Sequence, residues 1–106
     1  MTALTCILVD DEPLARQVLA GLLAETPGVT LAGAFASARA AEAFLDGGTP
    51  VDVAFLDIQM PERSGLDFAR TLLDRALVVF TTAHAGFAAE SYDVHALDFL
   101  VKPVRA

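Results

Sequence analysis

The sequence predicts a single α/β domain built around a parallel sheet of five strands. Five short apolar runs alternate with segments in which apolar residues recur at helical spacing, a pattern typical of parallel α/β folds. The length of 106 residues is that of one domain. A hydrophobic content of 55% is enough to build one core and argues against intrinsic disorder.

Each predicted strand is a short apolar run bounded by turn residues or by acids. The first and third runs end abruptly in acid, as strands buried on both faces of a sheet do, and Pro103 stops the last one. The predicted strands cover residues 5–9, 30–35, 51–56, 77–81 and 96–101.

The segments between the strands carry helix signals of unequal strength. Pro13 suits the first turn of a helix whose apolar residues repeat every four positions to about residue 25. Ser37 is placed to cap a second helix, and Ser64 and Asp67 have capping-box spacing for a third. Residues 87–92 predict a fourth helix with poor periodicity.

Charge and cysteine content exclude several classes of function. Seven Lys and Arg against 14 Asp and Glu give a net charge of −7, which argues against direct binding of nucleic acid by this chain. Cys6 is the only cysteine, so an internal disulfide and a cysteine-built metal site are excluded. The sequence has no apolar stretch long enough for a membrane-spanning helix and no N-terminal signal peptide pattern. We therefore expect a cytoplasmic protein without a membrane partner.

Polar residues follow four of the predicted strands, at the sheet edge where α/β proteins bind ligands. They are Asp10 and Asp11 after the first strand, Asp57 after the third, Thr82 after the fourth and Lys102 after the fifth. Converging carboxylates repel unless a cation neutralises them, and Mg²⁺ prefers oxygen ligands. Together, Mg²⁺ and Lys102 would balance three carboxylates. A carboxylate in such a pocket can accept a phosphoryl group as an aspartyl phosphate.

In these residues the chain resembles the receiver domain of two-component response regulators. The resemblance rests on VDDEP at 9–13, FLDIQMP at 55–61 with Gly65, Thr82-Ala83, and Lys102-Pro103. VHALDFLVKP at 94–103, together with DEPLAR at 11–16, resembles the subgroup whose receivers precede LytTR-type (LytR/AlgR-like) DNA-binding domains.

The resemblance implies a flavodoxin-like, doubly wound parallel five-stranded sheet of strand order 2-1-3-4-5. It implies that residues 1–106 form a receiver (phosphoacceptor) domain that stops before the family's last helix and before any effector domain. Asp57 matches the phosphoacceptor. The implied cofactor is Mg²⁺, with Mn²⁺ able to substitute, held by Asp10, Asp11, Asp57 and the backbone carbonyl of Gln59.

Further roles follow from the same resemblance. Thr82, Lys102 and the backbone of Ala83 match groups that contact the phosphoryl group, and the bond before Pro103 is expected to be cis. The family's switch pair corresponds to Thr82 and Phe99. Phosphoryl lifetime is expected to depend on Gln59 and His84, which lie two residues beyond Asp57 and Thr82.

The implied function is a phosphorylation-dependent signalling switch. A sensor histidine kinase would phosphorylate Asp57, and the altered helix 4/strand 5 face would control homodimerisation or a transcriptional output domain that binds DNA. The chain assists its own phosphorylation and slow dephosphorylation but is consumed as a substrate, so we do not expect an enzyme. Two alternatives stay open: a pseudo-receiver that binds partners without phosphorylation, and a Mg²⁺-dependent aspartyl-phosphate phosphatase. Gln59 argues against the phosphatase because those enzymes need a second acid at that position.

Overall fold

The computed structural model describes residues 3–72, 74–82 and 98–101, with Thr82 and the last segment described by their backbone. Its elements in chain order are β1 Leu4–Val9, α1 Pro13–Ala24, β2 Val29–Phe35, α2 Ala38–Asp46, β3 Val53–Asp57, α3 Gly65–Arg70, β4 Leu77–Thr82 and β5 Asp98–Val101. All neighbouring strands pair in parallel, in the order β2-β1-β3-β4-β5. The predicted fold class and strand order are confirmed. The predicted helix at 87–92 and the expected end before a last helix lie outside the described residues.

Apolar residues fill both faces of the sheet. Alternate residues of β1 point to opposite faces, so Ile7 and Val9 join one buried cluster while Cys6 and Leu8 join the other. The first cluster includes buried residues of α2 and α3, and the second includes Leu19 and Leu23 of α1. Burial on both faces explains why the strands read as continuous apolar runs. None of the helices in the described ranges has the length and apolar character needed to cross a membrane.

Cys6 is a core residue, as its position in an apolar run indicates. Its side chain is 1% exposed and makes no disulfide. Burial raises the pKa of the Cys6 thiol, because the charged thiolate is poorly solvated there. The reactive form of this cysteine is therefore suppressed in the folded protein.

The helix starts follow the predicted signals. Pro13 occupies the first turn of α1. The Ser37 hydroxyl accepts a hydrogen bond from the backbone N–H of Ala40 at 3.1 Å and caps α2. The Ser64 hydroxyl accepts one from the N–H of Asp67 at 3.1 Å and caps α3. Each serine oxygen supplies an acceptor to an N–H that has no partner within its helix.

The predicted third strand starts too early. Strand β3 begins at Val53, not at residue 51, because Asp52 closes the amino edge of the sheet. Its N–H donates to the Thr5 carbonyl at 2.7 Å, and its carboxylate accepts from the Thr5 N–H at 2.8 Å. At the other end, Asp57 is the last residue of β3 instead of following it.

Helix α3 ends before Leu72, the next apolar residue at helical spacing after Phe68 and Ala69. It ends at Arg70, so Leu72 is buried in the turn beyond the helix. The Thr71 N–H donates to the Phe68 carbonyl at 3.0 Å, and the Leu72 N–H donates to the Ala69 carbonyl at 2.9 Å. These tighter bonds close the last turn, a frequent form of helix ending.

The pairing of β1 with β2 contains an irregularity. Cys6 pairs with Leu31, but Ile7 pairs with Gly33, so Ala32 is skipped. Leu31 and Phe35, four residues apart, consequently pack against different core clusters. Without the extra residue, strand alternation would place both side chains on the same face.

We predict that Ser37→Ala lowers the free energy of unfolding by about 1 kcal/mol, because the N–H of Ala40 loses its acceptor. Urea denaturation followed by circular dichroism measures the change. Ser37→Asp keeps a side-chain oxygen at the same position and should recover most of the stability. Equal stability of Ser37→Ala and the unmodified chain would contradict the capping role.

Candidate phosphoacceptor and metal site

Three carboxylates meet at the carboxyl ends of β1 and β3. Asp10 and Asp11 follow β1 directly, and Asp57 ends β3. One carboxylate oxygen from each residue lies within 4.8 Å of those of the other two. The two strands are neighbours in the sheet, with Val9 opposite Leu56, so their next residues come together. The predicted convergence of these three carboxylates is present.

Burial brings the negative charges of this cluster into repulsion that a cation would relieve. Asp10 and Asp57 are only 2% and 3% exposed, and Asp11 is half-buried. Two like unit charges about 5 Å apart repel by roughly 3 kcal/mol at an effective dielectric constant of about 20. A hard divalent cation with oxygen ligands relieves this repulsion, and three clustered carboxylates are a donor set that fits Mg²⁺.

Hydrogen bonds to both its backbone and its side chain hold Asp10 in place. Its N–H donates to the Phe35 carbonyl at 3.0 Å, and its Oδ1 accepts from the Glu12 N–H at 2.9 Å. Its own carbonyl accepts from Nη1 of Arg16 at 2.7 Å. The anchoring by Arg16 was missed in the sequence, although this half-buried cation follows the acidic pair by little more than one helical turn.

The backbone around Asp57 is equally constrained. The Ile58 N–H donates to the Thr81 carbonyl at 3.2 Å, and the Gly65 N–H donates to the Ile58 carbonyl at 2.8 Å. A Cβ at Gly65 would collide with the Asp57 carbonyl oxygen. Gly65 therefore allows the start of α3 to lie directly against the backbone of the candidate phosphoacceptor.

The loop between β3 and α3 is tied to α2. Nη1 of Arg63 lies 3.0 Å from Oε2 of Glu42, and its guanidinium lies 5.2 Å from the centre of the Phe68 ring. Glu62, beside it, adopts a left-handed backbone with φ of 70°. Arg63 thus packs over Phe68 of α3 and links the loop after the acidic cluster to α2.

Other predicted site residues are placed less completely. The backbone of Thr82 pairs with Val101, and Phe99 pairs with Phe80, so the proposed switch residues occupy adjacent strands. Gln59 is exposed two residues beyond Asp57. The predictions for Ala83, His84, Lys102 and Pro103 fall outside the described residues.

A separate cavity lies at the opposite edge of the sheet. Its volume is about 380 Å³, and it is lined by Leu45, Pro50, Leu72 and Arg75, among others. These residues precede β3 and β4 or end the neighbouring helices, so the cavity is not part of the acidic cluster.

The family profile described as response regulator receiver domain matches residues 6–106. The chain belongs to this family. The receiver domain is 42% identical over 104 residues to the positive alginate biosynthesis regulatory protein of Pseudomonas aeruginosa, covering 94% of this chain and 42% of that protein. It is 42% identical over 101 residues to the transcriptional regulatory protein BtsR of Salmonella typhi, covering 92% of this chain and 41% of that protein. The chain thus spans about two-fifths of the length of these relatives.

Solved structures agree with the family assignment. The response regulatory domain of mrkE from Klebsiella pneumoniae superimposes with a TM-score of 0.86 at 30% identity, covering 96% of this chain and 85% of that one. The response regulator TrrA of Thermotoga maritima was crystallised in complex with Mg²⁺-BeF. It superimposes with a TM-score of 0.79 at 28% identity, covering 93% of this chain and 86% of that one.

We predict opposite effects for the same substitution at two glycines. Gly65→Ala should lower the free energy of unfolding by roughly 1–3 kcal/mol, because the methyl group overlaps the Asp57 carbonyl. Gly21→Ala, in exposed α1 with open space around it, should raise it by about 0.5–1 kcal/mol. Urea denaturation of both variants tests the pair, and a neutral Gly65→Ala would argue against the close backbone contact.

Proposed function

We propose that this receiver domain is a phosphorylation-dependent switch that accepts a phosphoryl group on Asp57 from a sensor histidine kinase. The observation that carries the proposal is the clustering of the Asp10, Asp11 and Asp57 carboxylates within 4.8 Å at the end of the sheet. Asp57 is the member that ends its strand in the middle of the sheet, between β1 and β4.

The chain's own residues prepare Asp57 as a nucleophile. A carboxylate oxygen attacks the phosphorus of the donor, and the bond between phosphorus and the histidine nitrogen breaks. That electron pair returns to the imidazole, which takes up a proton from solvent. The backbone bonds of Ile58 with Thr81 and Gly65 fix the chain directly after Asp57, and Gly65 packs against the Asp57 carbonyl. Less orientational freedom is therefore lost in reaching the transition state.

Mg²⁺ is the cofactor that this proposal requires, with Mn²⁺ as a substitute. Asp10, Asp11 and Asp57 would hold it, with the Gln59 carbonyl as an additional ligand. When bound, the cation supplies positive charge opposite the transferring phosphoryl oxygens. The complex of the relative TrrA with Mg²⁺-BeF supports this cofactor assignment.

Phosphoryl contacts by Thr82, Lys102 and the Ala83 backbone belong to the same proposal. So do the switch role of Thr82 with Phe99, a cis bond before Pro103, and effects of Gln59 and His84 on phosphoryl lifetime. The adjacent backbone positions of β4 and β5 support a route from the acidic cluster to the outer strand. There, the helix 4/strand 5 face would control dimerisation.

The output would be transcriptional. Two relatives are named as regulators of alginate biosynthesis and of transcription, and each is more than twice the length of the matched region. We infer that a LytTR-type DNA-binding domain accompanies the receiver domain in the full regulator. The net charge of −7 agrees with DNA binding by another part of that protein. The cytoplasmic location expected from the sequence belongs to this proposal.

Phosphorylation is tested by intact mass after incubation with acetyl phosphate and Mg²⁺. The Asp57 carboxylate displaces acetate, so we expect one added phosphoryl group on the unmodified chain. None should appear on Asp57→Asn or when Mg²⁺ is chelated. Asp74→Asn, at an exposed aspartate before β4, is the matched control and should be labelled normally. No label on the unmodified chain, with no release of inorganic phosphate, would favour the pseudo-receiver. Rapid release of inorganic phosphate without build-up of the labelled chain would favour the phosphatase.

Metal binding is tested by calorimetric titration with Mg²⁺. Asp11→Asn removes one clustered carboxylate and should weaken binding roughly tenfold or more, because one unit of negative charge is lost beside the ion. Glu12→Gln removes the same charge one residue away, outside the cluster, and should have a much smaller effect. Equal losses in the two variants would indicate a general effect of charge instead of ligation.

A further inference from the structure

The hydroxyl of Thr81 is buried without a hydrogen-bond partner in the described part of the chain. Thr81 is 1% exposed, and its Oγ1 makes no hydrogen bond with those residues. Buried hydroxyls are nearly always paired, because an unpaired one loses its hydration without compensation. A valine would fill the same volume at lower cost, so the hydroxyl calls for a functional explanation.

Thr81 is the direct neighbour of the candidate phosphoacceptor. In the pairing of β3 with β4, Asp57 stands opposite Thr81. Paired residues of adjacent strands lie about 4.8 Å apart and send their side chains to the same face of the sheet. The backbone joins them as well, since the Thr81 carbonyl accepts the hydrogen bond of Ile58, the residue after Asp57.

The other described strand neighbours of Thr81 on the same face have no side chain that can form a hydrogen bond with its hydroxyl. Val79, two residues earlier on the same face, is buried and apolar, and it pairs with Phe55. On the outer side, Thr81 stands opposite Leu100. Among these neighbours within the described residues, the Asp57 carboxylate is the side chain that can accept a hydrogen bond.

We propose that Thr81 is a positioning residue for Asp57. Its hydroxyl donates a hydrogen bond to the Asp57 side chain when the cation and the phosphoryl donor are bound. A rotation about the single χ1 bond redirects the hydroxyl without moving the backbone. The hydrogen bond holds one carboxylate oxygen and leaves the other directed at the incoming phosphorus. This inference rests on the proposed phosphorylation of Asp57 and adds a residue to it.

The experiment compares Thr81→Val with Thr81→Ser. The initial rate of phosphoryl incorporation from acetyl phosphate with Mg²⁺ is measured by intact mass, and stability by urea denaturation. We expect Thr81→Val to slow labelling roughly tenfold, the size of one hydrogen bond to a charged group, and Thr81→Ser to restore most of the rate. The stability of Thr81→Val should be unchanged or higher, because an unpaired buried hydroxyl has been removed.

Two further variants complete the design. Thr30→Val makes the same substitution at an exposed site on β2 and should label at the unmodified rate. Thr81→Ala provides a second chain without the hydroxyl, should Thr81→Val fold poorly, and it should also label slowly.

The outcomes separate the two proposals. Normal labelling of Thr81→Val, or equal slowing in Thr81→Val and Thr81→Ser, overturns the role of the hydroxyl while Asp57 remains the phosphoacceptor. Slowing that merely follows a loss of stability also overturns it. Absence of labelling in the unmodified chain overturns phosphorylation itself, and the role of Thr81 with it.

Discussion

The parallel pairing of β1 with β3 is the constraint on which the acidic site depends. With Val9 opposite Leu56, the strands deliver Asp10 and Asp57 to the same point on the sheet edge, where their like charges repel. The repulsion is withstood because the residues leading into it are fully buried and hydrogen-bonded along both strands. The core beneath the site therefore offsets the repulsion between the carboxylates, and a divalent cation would relieve it.

Much of this arrangement can be predicted from the sequence. Apolar runs ending in acid predict both the strands and the convergence of Asp10, Asp11 and Asp57, because parallel strands share one carboxyl edge. Serine caps are predictable for a similar reason, since a cap needs only the local sequence around Ser37 or Ser64.

The features that escaped prediction depend on contacts between distant residues. Asp52 reads as part of an apolar run, but its bonds with Thr5, 47 residues away, delay the start of β3. The spacing of Arg16 behind Asp10 and Asp11 does not by itself reveal that its guanidinium donates to the Asp10 carbonyl. Thr81 reads as one more strand residue until the register places it opposite Asp57. Sequence pattern and spacing indicate which face of a strand or helix a residue occupies. These roles depend instead on which residue of another element lies next to it.

The skipped residue in the pairing of β1 with β2 has a consequence for self-association. Strand β2 ends the order of described strands, so one side of its backbone has no partner strand among them. Such an edge can template pairing with another chain. An extra residue in one strand generally bends that strand and increases its local twist. We therefore expect the irregularity at Ala32, which also distributes Leu31 and Phe35 between two core layers, to disfavour pairing of this edge with another chain.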